Sequence, residues 1–130
     1  MLRQRLGPVG KALFRGLLRE CGVPLSPLVE GVRQDDFAHL ERTLLQLAQE
    51  YRQAGGQADR GRQRLCRRAV IEAKDHARLA SRNPRTSREK QLEKEEMVLW
   101  MMTWLENPGV FGSWVALRKS HLREGADSPP

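Results

Sequence analysis

The sequence is poor in the residues that build sheets, disulfide frameworks and membrane spans. Aromatic residues make up only 5% of the 130 residues and alternating Val and Ile are almost absent, so we expect no strands. Cys21 and Cys66 stand far apart, without a CxxC spacing or a nearby histidine pair, which argues against a zinc site or a disulfide framework. The longest apolar run, Met97 to Leu105, is about half of the roughly 20 residues that cross a bilayer, so no transmembrane segment is expected.

Motifs for catalysis are also lacking. The sequence has no Gly-rich phosphate loop, no HExxH, no nucleophile elbow and no histidine with an evident carboxylate partner. We therefore predict no catalytic residue, no metal ligand and no enzymatic activity.

Positive charge and helix-forming residues are abundant. Lys and Arg number 23 against 16 Asp and Glu, which gives a formal net charge of +7 and favours an anionic partner such as an acidic protein, RNA or an anionic membrane surface. Leu, Ala, Arg, Glu and Gln dominate, and these residues favour helices. A length of 130 residues suits one compact domain.

Prolines, glycines and apolar periodicity divide the chain into helices. The predicted segments are a first helix from Gly7-Pro8 to Gly22, a second from Ser26 or Asp35 to Gln53, a third from Ala58 to Ser81, a fourth from Ser87 to Leu105, and a fifth from Val110 to Leu122. This pattern predicts an all-α antiparallel bundle of four to five helices. The single domain covers residues 1–123, and we expect the tail 124–130 to be disordered.

The patterns within these helices predict which side chains face the core. Helix two repeats apolar residues from Phe37 to Tyr51 at steps of three and four. On helix three, we expect an inward line at Leu65, Ala69, Ala73, Ala77 and Ala80, and on helix five at Phe111, Trp114, Val115 and Leu117. Thr86 and Glu89 have the spacing of a capping box at the start of helix four. The first half of helix four is charged and predicted to be solvated. Its second half is apolar nearly all round, so helices four and five should form a hairpin, about residues 86–122, that shields most of Trp100 or Trp104.

Two strings resemble a known family. Leu13-Phe14-Arg15-Gly16-Leu17-Leu18-Arg19 is similar to the opening of the LYR-motif proteins, small helical mitochondrial assembly factors whose first helix carries Leu-Tyr-Arg and then Leu-Leu-Arg. The segment Glu50-Tyr51-Arg52 resembles the later Glu-Phe-Arg of that family. The resemblance covers an LYR-like three-helix core, about residues 9–82, and Phe14 replaces the usual Tyr.

The resemblance implies an adaptor of the mitochondrial matrix. LYR proteins bind the acidic acyl carrier protein, accept its acyl chain into their bundle and present a helical surface to a client complex. The implied carrier-binding residues are Lys11, Arg15, Arg19 and Arg52, and the implied acyl tunnel is lined by Phe14, Leu17, Leu18, Leu44, Leu47 and Tyr51. No cofactor would be bound directly, because the carrier supplies the acyl-phosphopantetheine. The acid-free, Arg-rich segment before Glu20 is also typical of mitochondrial targeting.

The third helix leaves other functions open. Its cations Arg60, Arg64, Arg67 and Arg68 form a candidate surface for an anionic partner. Clustered arginines suit RNA, as in a mitoribosomal component, but no aromatic side chains interleave with them for base stacking. Exposed pairing among Arg68, Glu72, Lys74, Asp75 and Arg78 would instead give a solvated face. The alternatives to the adaptor are therefore a basic RNA-associated protein and a structural helical subunit.

Overall fold

A computed structural model describes residues 26–127 as an all-α bundle. The helices are α1 (Pro27–Arg33), α2 (Phe37–Gly56), α3 (Arg60–Ser81), α4 (Arg88–Glu106) and α5 (Phe111–Asp127), with a short 3-10 helix η1 (Pro108–Val110) before α5. No strand occurs among these residues. The predicted all-α bundle of four to five helices is confirmed. The predicted first helix lies outside the described residues.

Side-chain caps set the helix starts. Asp36 accepts a hydrogen bond from the His39 backbone N–H at 3.0 Å, so α2 begins at Phe37, in agreement with the predicted start near Asp35. The other predicted start, near Ser26, is that of the separate helix α1. Ser87 caps α4 by accepting from the Lys90 backbone N–H at 3.2 Å. The predicted cap at Thr86 was therefore wrong by one residue. At the other terminus, α5 runs to Asp127, past the expected boundary at residue 124.

Aromatic contacts fix the direction of α4 relative to α2. The rings of Phe37 and Trp100 lie 5.2 Å apart, and those of Tyr51 and Trp104 lie 5.8 Å apart. Both pairs are edge-on, a favourable geometry. The earlier residue of α2 contacts the earlier residue of α4, and the later contacts the later, so α2 and α4 run in the same direction. α3 connects them and runs in the opposite direction.

Ion pairs connect α5 to α4 and α2, and α5 runs in the opposite direction to both. Arg118 donates to both carboxylate oxygens of Glu96, at 2.9 and 2.8 Å, and Lys119 Nζ lies 2.7 Å from Glu41 Oε1. Phe111, at the other end of α5, lies 6.4 Å from Trp100, measured between ring centroids. The last helix therefore packs antiparallel to both α2 and α4.

The core forms around the second half of α4. Trp100 and Trp104 are 2% and 0% exposed, so the predicted shielding is confirmed for both. Trp104 Nε1 donates to the Leu44 carbonyl oxygen at 2.9 Å, which satisfies the indole N–H inside the core. The other fully buried large side chains are Leu28, Val32, Leu40, Leu44, Val70, Met97, Met101, Phe111 and Val115.

Several predicted orientations are wrong. Leu65 and Leu117 were expected to face inward but are 65% and 72% exposed. On α3, Cys66 and Val70 join Ala73 and Ala77 in the core, so the buried line is displaced by one residue from Leu65. The apolar half of α4 is also not fully enclosed, because Leu99 and Met102 remain exposed.

A polar network joins the α1–α2 turn to α4. Lys94, expected in a solvated half of α4, is only 7% exposed. Its ammonium group donates to the Val32 carbonyl oxygen and lies 2.7 Å from Asp35 Oδ1. Lys90 Nζ lies 2.6 Å from the other oxygen of Asp35. Burial raises the pKa of Asp35, but the two ammonium groups outweigh it and leave that pKa below its ordinary value.

We expect Trp104→Ala to lower the free energy of unfolding by about 3 to 5 kcal/mol, because it leaves a cavity and removes the bond to the Leu44 carbonyl. Chemical denaturation of the full chain measures the change. Leu117→Ala is the matched control on an exposed site, with a change within about 0.5 kcal/mol. Equal losses in the two variants would contradict the described core.

We expect Asp35→Asn to lower the free energy of unfolding at neutral pH by about 3 kcal/mol, because the buried ammonium of Lys94 loses its counter-charge. Asn tolerates the backbone φ of 54° at this position. The depressed pKa of Asp35 adds stability above about pH 4 that is lost as the pH falls through the folded-state value. As the pH falls from about 5 to about 2, the free energy of unfolding should decrease less in the variant than in the wild type. Denaturation at each pH measures the decrease. An identical pH dependence would contradict this assignment.

Candidate functional site

The predicted basic residues of α2 and α3 meet at one end of the bundle. Arg52 lies near the end of α2, and Arg60, Arg64, Arg67 and Arg68 lie in the first nine residues of α3. The connection between the helices spans only residues 57–59, so the two groups are neighbours. We call this region the basic end, formed by Arg52, Arg60, Arg64, Arg67 and Arg68.

Local contacts hold the α2–α3 corner in place. The Gln63 side chain donates from Nε2 to the Tyr51 carbonyl oxygen at 3.2 Å. A Cβ atom at Gly55 would lie 2.7 Å from that nitrogen, so the glycine leaves room for the bond. Asp59 caps α3 by accepting from the Arg62 backbone N–H at 3.0 Å. These bonds fix where α3 begins and hence where its arginines stand relative to Arg52.

Arg67 serves the fold. Its guanidinium donates from Nη1 to the Leu105 carbonyl oxygen at 3.1 Å. Leu105 is in the last turn of α4, where carbonyl groups lack helical partners, so a cation there is favourable. Arg67 is one of the four α3 arginines that were predicted to form a surface for an anionic partner. Its guanidinium makes a hydrogen bond within the fold.

The remaining cations of the basic end have no acidic partner among the side chains of residues 26–124. Arg52, Arg60, Arg64 and Arg68 are exposed and take part in none of the ion pairs of this part of the chain. The predicted pairing along α3 is reduced to one contact, between Lys74 Nζ and Asp75 Oδ1 at 3.5 Å. These arginines are therefore available for an external anion.

An open groove adjoins Arg52. It has a volume of about 650 Å³ and lies between the outer side of α2 and the corner formed by η1 and the start of α5. Leu45 and Ala48 give it an apolar floor, while Gly109 and Gly112 form the corner. A Cβ atom at Gly112 would come within 3.3 Å of Leu45 Cδ2, so a larger residue would narrow the groove. The sequence analysis did not predict this groove. The signal for it in the sequence is the pair of glycines that follow Pro108, namely Gly109 and Gly112.

The predicted acyl-tunnel residues of α2 are in or beside the core. Leu44 is fully buried, and Leu47 and Tyr51 pack against the core cluster while remaining partly exposed. They reach the same core that holds Trp104. Their assignment to an acyl tunnel stays a prediction.

The other predicted site residues lie outside the described residues. These are the carrier-binding residues Lys11, Arg15 and Arg19 and the tunnel residues Phe14, Leu17 and Leu18. The distance from this segment to Arg52 is therefore not part of the description. Among the predicted carrier-binding residues, Arg52 alone has a described position.

Cys66 is the one cysteine among the residues that the structure describes, and it is buried and free. Burial raises the pKa of the Cys66 thiol, which keeps it protonated near neutral pH. Within residues 26–127, no three His, Cys, Asp or Glu side chains are grouped so that they could hold a metal ion. In the same region, no helix is long and apolar enough to span a membrane.

We expect Arg67→Met to lower the free energy of unfolding by about 1 kcal/mol, because the Leu105 carbonyl loses its charged donor. Arg64→Met removes an equivalent charge one turn away without breaking a bond, and it should leave stability unchanged or slightly higher. Urea denaturation of both full-length variants gives the comparison. A larger loss for Arg64→Met would contradict the division between structural and available arginines.

Comparison of the chain with protein-family models, with curated proteins and with solved structures found no match. The resemblance to the LYR-motif proteins therefore depends on the residues of the two strings that carry it. The all-α bundle is established by the described helices themselves.

Proposed function

We propose that the chain is an LYR-type adaptor of the mitochondrial matrix. In this proposal it binds acyl carrier protein and presents a helical surface to a client complex. The observation that carries the proposal is the position of Arg52, an exposed arginine without a described acidic partner at the edge of a groove. Leu45 and Ala48 form the apolar part of the groove, and Gln49 and Gln53 also line it. A cation beside a partly apolar groove suits an acidic partner that also brings an apolar group.

In this proposal, the charged residues of the chain bind the surface of the carrier and the apolar residues bind its acyl chain. Arg52, together with Lys11, Arg15 and Arg19, would bind acidic side chains of the carrier and the phosphate of its phosphopantetheine, for which the planar guanidinium is well suited. The acyl chain would contact the predicted tunnel residues, which are Phe14, Leu17, Leu18, Leu44, Leu47 and Tyr51. The chain itself would hold no cofactor, because the acyl-phosphopantetheine belongs to the carrier.

RNA association is the second candidate function. It is favoured by the unpaired arginines at the start of α3, which could neutralise phosphates. It is disfavoured by the composition of α3, which contains no aromatic residue on which a base could stack. A structural helical subunit that lacks the carrier is the third reading, and it assigns no role to Arg52.

We expect Arg52→Glu to weaken carrier binding about tenfold, since it replaces an attractive charge by a repulsive one at the groove. Arg15→Glu combined with Arg19→Glu should abolish binding. Isothermal titration of the full chain with purified acyl-loaded carrier protein measures both effects. Arg85→Glu is the matched control, because Arg85 is exposed in the α3–α4 connection, at the opposite end of the bundle.

The outcomes separate the candidate functions. Carrier affinity unchanged in Arg52→Glu and in the double variant would rule out the proposed docking. A chain that binds RNA with a steep salt dependence, and no carrier, would favour the second candidate. Circular dichroism of each variant establishes that the helices are intact.

A further inference from the structure

The outward face of α3 combines exposed aliphatic side chains with arginines. Leu65 and Leu79 are 65% and 72% exposed, and Ile71 is 38% exposed. Exposed Arg60, Arg64 and Arg68 stand between or beside them, also without acidic partners among the side chains of residues 26–124. Single exposed leucines are ordinary, but three on one helix among unpaired cations form an amphipathic surface. We call it the α3 outward face.

The spacing of these side chains matches a helix lying alongside. Leu65 and Leu79 are two heptads apart, which places them on one line about 21 Å long. Arg64 and Arg68 are one turn apart and next to Leu65. The buried residues Cys66, Val70, Ala73 and Ala77 occupy the opposite side of α3, so the outward face is free of core packing.

The arginines of this face oppose the stability of α3. Arg60, Arg64 and Arg68 follow one another at four-residue spacing, at which like charges repel, and Arg60 also lies in the first turn. The N-terminus of a helix carries a partial positive charge, and cations there are unfavourable. α3 has arginine at positions 60, 62, 64, 67 and 68 and no acidic residue before Glu72. The cap Asp59 and the bond from Arg67 to the Leu105 carbonyl offset part of this repulsion. A feature that opposes stability without serving the core is expected at a functional surface.

We propose that the α3 outward face binds an acidic amphipathic helix of a partner protein. Carboxylates of that helix pair with Arg64 and Arg68, and its apolar side chains contact Leu65 and Leu79. The negative charge of the partner also relieves the repulsion within the first half of α3. Although Arg52 is near the start of α3, none of the residues that line the groove belongs to α3, so this proposal does not depend on the proposed carrier binding.

Two other occupants fit less well. RNA would bring its evenly spaced phosphates close to Glu72 and Asp75, which lie on the same face, and it would leave the three aliphatic side chains without apolar partners. A partner helix can instead place its carboxylates against Arg64 and Arg68 and an uncharged residue against Glu72. A second copy of the chain could pair these arginines with Glu72 and Asp75, but the net charge of +7 on each copy opposes their association. An acidic helix satisfies both the charge and the apolar surface.

A first experiment measures the repulsion among the α3 arginines in the absence of a partner protein. Thermal unfolding of the full chain is followed in about 20 mM and about 300 mM salt, which change the screening between exposed charges. Arg64→Gln with Arg68→Gln should raise the midpoint by about 4 °C at low salt and by less at high salt. Arg82→Gln with Arg85→Gln, after the end of α3, is the control and should not raise it. Equal midpoints in the wild type and the first variant would overturn the electrostatic argument.

A second experiment measures recognition with defined probes. Fluorescence anisotropy compares a labelled helical peptide carrying Glu and Leu on one face, a scrambled peptide of the same composition, and a single-stranded RNA of about 20 nucleotides. The amphipathic peptide should bind about tenfold more tightly than the scrambled one. Leu65→Ala with Leu79→Ala, or Arg64→Gln with Arg68→Gln, should each remove that preference. No preference, a preference that survives both double variants, or tighter binding of the RNA would overturn the proposal.

Discussion

The structure depends on the burial of the two tryptophans of α4. Trp104 is enclosed and its indole N–H must find an acceptor, which it finds in the Leu44 carbonyl of α2 at 2.9 Å. Trp100 contacts Phe37 and Phe111, so the same face of α4 orients both α2 and α5. The polar network at Asp35 and Lys94 fixes the other end of α4. The register of the bundle follows from these requirements.

That register also determines where the charges are placed. With α2 and α4 running in the same direction, the end of α2, the start of α3 and the end of α4 come together, and Arg67 joins two of them through Leu105. Arg52 and the first arginines of α3 are thereby concentrated on one end of the molecule. The core does not use these charges. The apolar faces supply most of the stability, while Arg52, Arg60, Arg64 and Arg68 have no acidic partner among residues 26–124.

The sequence predicted the helices more successfully than their orientations. Periodicity and prolines located α2, α3 and α4, because these signals are local. Leu65 was assigned to the core in a line with the alanines, but α3 rotates so that Cys66 and Val70 face α4. The burial of Lys94 depends on Asp35, 59 positions earlier in the chain, and no local pattern reveals that pairing. The cluster of arginines at the start of α3 was evident in the sequence. Its position next to Arg52, the loss of pairing along α3 and the groove beside Gly109 required three-dimensional contacts.

We propose that the bundle binds acyl carrier protein, with Arg52 beside the groove as the described part of the binding surface. Native mass spectrometry of the full chain co-expressed with that carrier is the most direct measurement. The account predicts a one-to-one complex whose mass includes the acyl-phosphopantetheine and which dissociates as the ionic strength rises. A chain that retains no carrier even at low ionic strength would contradict the claim.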